Sequence, residues 1–503
     1  MTEKIGHFID GKAIAGSTTT TGSVFNPATG TVIAEVSYAS KAEVENAISA
    51  AKNAYPAWAE TSPLKRARVL FKFRELLEKN TAKLAALVTA EHGKVLADAE
   101  GSVLRGIELV EYACGIPALL RGTYSENVAS QVDCYTLRQS LGVCAGVSPF
   151  NFPVMVPIWM FVSAIACGNT FVLKPSEKDP SAPMFMAELL MQAGLPKGVF
   201  NIVNGDKIAV EALLNHPDIQ TMTAVASTPT AKHIYQTAIA NGKRAHTFGG
   251  AKNHCIVMPD ADVKAAAQAI QGAAFGSAGE RCMALSVAVA VGDKTADALI
   301  AELEISVPQL KIGPGTEPGI EMGPLVTAEH LQKVLSYVDA GVAEGATLVV
   351  DGRAYKSNKP TNHTNGYFMG GCLFDNVTPT MKIYREEIFG PVLCVVRVAD
   401  FRSALTLINE NPYGNGTAIF TQDGETARTF AHEVQVGMVG INVPIPVPAV
   451  HHIFGGWKQS VFGDLHMHGD QSIQFYTKAK SVTSRWPKNV KTAAQYNMPH
   501  NKE

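Results

Sequence analysis

Between Phe171 and Val203 the chain carries a short apolar strand, Phe171-Val172-Leu173, and then a turn at Lys174-Pro175-Ser176-Glu177. A helix follows through Ala187-Glu188-Leu189-Leu190, stops at Gly194-Leu195-Pro196, and leads into a second apolar strand over 199–203. Strand, helix and strand at this length form a crossover between parallel neighbours of one sheet. A parallel sheet needs cover on both faces, so a chain committed to this unit folds as α/β with helices on each side. A second set starts at Cys255-Ile256-Val257-Met258, with a long Ala-rich helix ahead of Gly276. Earlier in the chain helix signals dominate. Thr61-Ser62-Pro63 precedes a stretch with Leu70, Phe73 and Leu77 on one face, the pattern of a capped amphipathic helix. Residues 131–140 and 471–486 read as alternating, partly polar strands outside the cores, a pattern that suggests pairing between subunits. The polar tail 487–503 is expected to fray.

A length of 503 residues is a prior of about two to four domains. The apolar fraction of 46% is enough for large cores, and 43 basic against 45 acidic residues leave a net charge of −2 without single-sign blocks. That balance argues against a nucleic-acid or anionic-membrane binder working by bulk electrostatics. No uncharged apolar run reaches the roughly 18 residues of a membrane span, and Met1-Thr2-Glu3-Lys4 does not open a signal peptide, so a cytoplasmic protein is expected. Eight cysteines at 114, 134, 144, 167, 255, 282, 372 and 394 form no CxxC pair, which reads as reduced thiols rather than a disulfide framework or a zinc site. His451-His452 and His466-Met467-His468 lack a third ligand at metal spacing, and His432-Glu433 does not continue to HExxH, so no metal is expected.

Four segments carry chemistry. In Ser148-Pro149-Phe150-Asn151-Phe152-Pro153 an Asn is held between aromatics and prolines, and its amide could donate to a developing oxyanion; alone, a buried structural Asn is the commoner role. Lys174 and Glu177 stand at a strand's carboxyl end, where α/β folds bind ligands, although a solvated turn fits the same residues. Gly276-Ser277-Ala278-Gly279-Glu280-Arg281-Cys282 is a small-residue loop that delivers a cysteine beside a cation, which favours thiolate over thiol. Glu386-Glu387-Ile388-Phe389-Gly390-Pro391 sets a carboxylate and a ring two residues apart. No GxGxxG occurs, and taken alone that argues against a dinucleotide.

In this order and spacing the four segments resemble the aldehyde dehydrogenase superfamily. The resemblance runs from Asn26-Pro27-Ala28-Thr29-Gly30 to Phe454-Gly455-Gly456-Trp457-Lys458. It implies a Rossmann-like NAD domain lacking the glycine fingerprint (1–122 with 141–250), an α/β catalytic domain (251–460), and a β oligomerisation flap with a C-terminal segment (123–140 and 461–503). It also implies a homodimer or homotetramer. By position, Cys282 is the nucleophile and Asn151 the oxyanion donor. Lys174 and Glu177 hold the adenosine ribose, Glu387 and Phe389 position the nicotinamide half, and Phe150, Ser227 and Gly250 complete the cofactor set.

Hydrolytic members carry a Glu in a Glu-Leu-Gly-Gly-Lys motif, and this chain reads Phe248-Gly249-Gly250-Ala251-Lys252 there. A cysteine thioester without a general base resists water but is open to a thiol, so coenzyme A is the implied co-substrate. The Gly250-Ala251-Lys252-Asn253-His254 string and its companions resemble the CoA-acylating, methylmalonate-semialdehyde branch of the superfamily. That branch implies Arg105 and Arg281 as the pair for a substrate carboxylate, and loss of CO2 from the acyl group. Two alternatives stay open: hydrolysis with another base such as Asp464, and an inactive member with impaired NAD binding. The second arises because the turn beneath the cofactor phosphates reads Ala224-Val225-Ala226-Ser227, where the family has Phe-x-Gly-Ser.

Overall fold

The computed structural model describes residues 3–355 and 364–486; the polar tail 487–503 lies outside them. Among the described residues five sheets form the fold, and two large α/β sheets and one small antiparallel sheet position the site. The first large sheet has eight strands, in the order Val461–Phe462, Arg244–Phe248, Ile219–Val225, Val143–Val147, Thr170–Lys174, Phe200–Ile202, His7–Ile9, Lys12–Ile14. The five strands from Arg244–Phe248 to Phe200–Ile202 are parallel, and the edges are antiparallel additions. The crossover read from the sequence is Thr170–Lys174, the helix Ser181–Gln192 and Phe200–Ile202. Thr170–Lys174 is buried at every residue, as a strand covered on both faces must be. The helix Met155–Ala166 is buried at every residue after Met155, so it is apolar all round rather than amphipathic.

From Val143–Val147 the chain moves to one side for two strands and then returns to the other side with Ile219–Val225. The reversal opens a crevice at the carboxyl ends of Val143–Val147 and Ile219–Val225, the place where open α/β sheets bind ligands.

The second sheet runs Thr347–Val350, Cys372–Asp375, Val392–Val398, Leu285–Val291, Asn253–Val257, Gly416–Phe420, Met438–Ile441, and is parallel except at its first strand. It has its own apolar core, in which the Ala-rich helix Val263–Phe275 packs through Ala266, Ile270 and Phe275. The third sheet pairs Thr477–Arg485, Val132–Ser140 and Tyr124–Ala129 antiparallel, in register from Thr477 against Ser140 to Arg485 against Val132. Among the described residues no helix is long and apolar enough to cross a membrane.

Two local expectations give way. The strand expected over 471–486 begins only at Thr477, because Gly469–Tyr476 is a helix. Ser472, Ile473 and Tyr476 recur at helical spacing and are buried, and the Tyr476 hydroxyl donates to the Met160 carbonyl at 2.6 Å. That docking outweighs the alternation of Gln471 to Gln474. The helix Pro63–Lys79 buries Leu70, Phe73 and Leu77, but the Ser62 side chain makes no capping bond. Arg66 secures this end instead. It is 4% exposed, its Nε donates to the Ala166 carbonyl at 3.0 Å, and its Nη1 donates to the Thr61 carbonyl at 2.5 Å. Arg66→Leu is expected to cost about 1.5–3 kcal/mol, the worth of hydrogen bonds from a charged donor. It should show as a lower thermal midpoint with an unchanged far-ultraviolet circular dichroism spectrum below it.

Candidate active site

Cys282 follows a loop that only an unusual backbone could make. After Phe275 the turn Gly276–Gly279 places Ser277 at φ 55° and Ala278 at φ 52°, both left-handed, with Gly279 at φ 73°. Left-handed non-glycine residues are strained and persist only where their surroundings hold them. A Cβ on Gly279 would fall 2.3 Å from the Gly390 carbonyl oxygen, so glycine is required there by space as well as by φ. Beyond the turn, the Cys282 carbonyl accepts from Asn253 Nδ2 at 2.9 Å and from Asn415 Nδ2 at 3.0 Å, which fixes the cysteine between strands of the second sheet.

The half-buried thiol borders two cavities. One, of about 250 Å³, is walled by Leu109, Phe152, Trp159 and Phe454 and carries Arg105 and Arg281. The other is smaller and is lined by Ala251, Asn253, Glu387 and Phe389. Burial and then the Glu387 charge push the Cys282 thiol up to about 12. Backbone N–H groups of Cys282 and Met283, and the Lys94 cation, act in the opposite sense. The resting group is therefore a thiol. Arg281, expected from its place in the sequence to favour thiolate, pairs instead with Asp98 at 2.6 Å, and the cation opposing the rise is Lys94.

Lys94 had no signal in the sequence beyond a charged Glu91-His92-Gly93-Lys94 run, which closes the helix Thr81–His92 and leads to the next at Leu96. It is 1% exposed, and its Nζ donates to the Asn151 backbone carbonyl at 2.6 Å. The Asn151 side chain is also buried and gives one amide N–H to the Glu280 carbonyl at 3.1 Å; an amide carries two such donors. Glu280 is fully buried and pushed up to about 8 by burial, with one oxygen accepting from Val326 N–H at 3.1 Å and the other 3.7 Å from His92.

Glu387 is the carboxylate of the smaller cavity. Its Oε1 accepts from the Ala251 N–H at 2.8 Å, and a Cβ on Gly250 would lie 2.5 Å from its Oε2, so the chain must be bare at 250. Burial raises the Glu387 pKa. Phe389, itself at φ 59°, meets Phe150 edge-on at 5.8 Å, and its carbonyl is 2.7 Å from His330 Nε2.

Lys174, Glu177 and Ser227 line neither cavity. Lys174 ends its strand, nearly buried, and pairs with Glu177 at 2.8 Å. Burial works to raise Glu177, but the Lys174 charge and hydrogen bond outweigh it and hold the carboxyl below its usual range. Ser227 is exposed at the start of the helix Thr228–Ala240, where Thr228 Oγ1 accepts from the Gly250 N–H at 2.9 Å. The altered turn before it is compatible with its residues. Ala224 is fully buried, the Ala226 N–H donates to the Phe248 carbonyl at 3.0 Å, and Ala226 is not among the left-handed residues.

Phe248 ends its strand with its ring against Trp159 at 5.0 Å and Phe454 at 5.7 Å, both walls of the larger cavity. The one carboxylate on that cavity's lining is Asp98, held by Arg281 and 3.8 Å from Lys94. Asp464, the candidate for another base, is exposed and belongs to neither lining.

A profile of the aldehyde dehydrogenase family matches residues 14–482. The malonate-semialdehyde dehydrogenase of Pseudomonas aeruginosa is 55% identical over 494 residues, covering 98% of this chain and 99% of that one. The acylating mitochondrial methylmalonate-semialdehyde/malonate-semialdehyde dehydrogenase of Rattus norvegicus is 45% identical over 479 residues, 95% of this chain and 89% of that one. A Sinorhizobium meliloti protein described as a methylmalonate-semialdehyde dehydrogenase, crystallised with NAD, superposes with a TM-score of 0.96 at 54% identity, covering 98% of this chain and 100% of that one.

Two outcomes follow from the electrostatics. Glu387→Gln removes the charge that raises Cys282 and Lys94→Met removes the one that lowers it. Iodoacetamide alkylation of Cys282 at pH 8 should therefore speed up in the first variant and slow in the second, each by roughly 3- to 10-fold. Glu280 is raised from 4.5 to about 8, so the folded chain holds a proton that the unfolded one releases. Its contribution is complete below about pH 4.5 and is lost as pH rises through about 8. Glu280→Gln should flatten the fall in thermal midpoint across that window.

Proposed function

The chain belongs to the aldehyde dehydrogenase family, and from that premise we propose that it oxidises malonate or methylmalonate semialdehyde with NAD and coenzyme A. The products are acetyl- or propionyl-CoA, CO2 and NADH. The observation that carries this reading is Phe248: a buried aromatic ring, packed behind the Trp159 and Phe454 walls of the larger cavity (the acyl cavity), stands at the motif position where water activation would need a carboxylate.

The Cys282 thiol gives its proton to water and adds as thiolate to the aldehyde carbon. The oxyanion that forms is stabilised by the free amide N–H of Asn151 and the Cys282 backbone N–H. Lys94, by gripping the Asn151 carbonyl, keeps the donor loop in place. Arg105 and Arg281 line the same cavity and orient the substrate carboxylate. Once the carbon is at the thioester level, the cavity wall leaves it to a thiol rather than to water, which is the role of coenzyme A. Scission of the carbon–carbon bond to the carboxylate releases CO2, and the electron pair left behind takes up a proton.

The residues present suit a dinucleotide. The crevice at the sheet's switch point is flanked by the Lys174–Glu177 pair, and Gly250 brings bare backbone against Glu387. NAD, when bound, supplies the hydride acceptor. Lys174 and Glu177 would hold the adenosine ribose, Phe150, Ser227 and Gly250 would border the cofactor, and Glu387 and Phe389 would position its nicotinamide half. The cofactor domain comprises 1–122 with 141–250, the catalytic domain 251–460, and the flap with the C-terminal segment 123–140 and 461–503, of which 487–503 lie outside the described residues. The exposed outer strands of the antiparallel sheet support a homodimer or homotetramer. The enzyme works in the cytoplasm, where its eight free cysteines stay reduced.

The deciding experiment is NADH formation from malonate semialdehyde with and without coenzyme A. Multiple turnovers only with coenzyme A, yielding acetyl-CoA, are expected; steady turnover to free acid without it would overturn the reading. Cys282→Ala should abolish turnover and leave NAD binding intact. Arg105→Ala and Arg281→Ala should each lower kcat/KM for malonate semialdehyde roughly 10- to 100-fold more than for propanal, the worth of charge-assisted hydrogen bonds.

A further inference from the structure

In the larger cavity His468 leaves both of its ring nitrogens without a hydrogen bond, and Trp159 leaves its single indole N–H, among the described residues. His468 is 8% exposed and lines the cavity together with Cys282, Arg105 and Arg281. Its ring stands edge-on to Trp159 at 4.4 Å and tilted to Phe454 at 5.8 Å. Neither ring nitrogen has a hydrogen-bond partner among the described residues. Most other polar groups of the lining are engaged. Ser102 donates to the Ala99 carbonyl, Arg105 to Glu108 and the Pro448 carbonyl, and Arg281 to Asp98, while Arg281 Nε, Trp159 Nε1 and Asp98 Oδ2 are left over among the described residues.

A phenyl ring would pack against Trp159 and Phe454 as well as an imidazole does, without leaving two buried nitrogens unsatisfied. Such an arrangement is stable when a ligand completes it. Burial, the Arg105 cation and His466 together push His468 down to about 3, so its imidazole is neutral and offers one N–H donor. Its neighbours already set their own charge balance, Arg105 against Glu108 and Arg281 against Asp98. A ligand that satisfies both the unpaired Arg281 Nε–H and the His468 N–H brings acceptor oxygens, and beside two guanidinium groups those oxygens are anionic.

We propose that His468 donates a hydrogen bond to the carboxylate of the substrate and, with Arg105 and Arg281, makes the cavity select 3-oxo acids over plain aldehydes. This rests on the carboxylated-aldehyde reading given above. His468 then reads the end of the substrate remote from the aldehyde carbon that Cys282 attacks. The Trp159 and Phe454 rings hold its imidazole at a fixed angle, so the donor is in place before the substrate arrives.

The test compares wild type, His468→Phe and His468→Gln on malonate semialdehyde and on propanal, which has the same chain without the carboxylate. His468→Phe keeps the aromatic packing and should lower kcat/KM for malonate semialdehyde about tenfold while leaving propanal unchanged. His468→Gln restores an N–H and should recover part of the loss. Quenching of tryptophan fluorescence by 3-hydroxypropanoate, which carries the carboxylate but no aldehyde, should weaken by a similar factor in His468→Phe. An unchanged preference for malonate semialdehyde in His468→Phe, or an equal fall on both substrates at an unaltered thermal midpoint, would overturn the role of His468 alone. A wild type that does not distinguish the two substrates would overturn the underlying reading with it.

Discussion

The Lys94 ammonium is the interaction on which the site is assembled. It lies out of water, just beyond the helix Thr81–His92, and donates to the backbone carbonyl of Asn151. Asn151 in turn donates to the carbonyl of Glu280, two residues from Cys282. Three segments far apart in the chain are thereby joined: a helix end, the loop after a strand of the first sheet, and the loop entering the second. Burying a cation without compensation is costly. This one keeps its place because it has a short bond to a carbonyl, with the Asp98 carboxylate 3.8 Å away. The same buried charge works against the rise in the Cys282 pKa.

Around that linkage the site divides its surfaces by chemistry. On the larger-cavity side of the thiol are hydrocarbon and aromatic walls with two guanidinium groups already tied to acids of their own. On the other side of the thiol are Glu387, Phe389 and the bare backbone at Gly250. Under the proposed role of Cys282, an acyl group there would face the larger cavity, whose lining carboxylate Asp98 is already paired with Arg281. The strain at Ser277 and Ala278 belongs to the same design, since a relaxed turn would not carry Cys282 to the boundary between the two cavities.

Much of this was legible in the residues. The crossover through Lys174-Pro175-Ser176-Glu177 announced a parallel sheet, since apolar strand, helix and apolar strand admit few other arrangements. Phe248 announced the missing carboxylate, because a motif position records its residue without reference to contacts. Where the reading failed, competing local patterns were close in strength. Gln471 to Tyr476 satisfies both alternation and helical spacing, and the docking of Tyr476 on Met160 decides for helix. Ser62 looks like a cap, but buried Arg66 takes over the securing of that end.

By itself the sequence determined the two parallel sheets, the glycine-rich approach to Cys282 and the absence of a carboxylate at 248. These follow from periodicity, from backbone sterics and from residue identity, all local properties of a chain. Tertiary structure alone decided which cation acts on the thiol, that Arg281 belongs to Asp98, and that His468 stands unpartnered in the acyl cavity. Electrostatic fields and desolvation depend on distances between segments remote along the chain, and those distances come into being only when the sheets and loops pack.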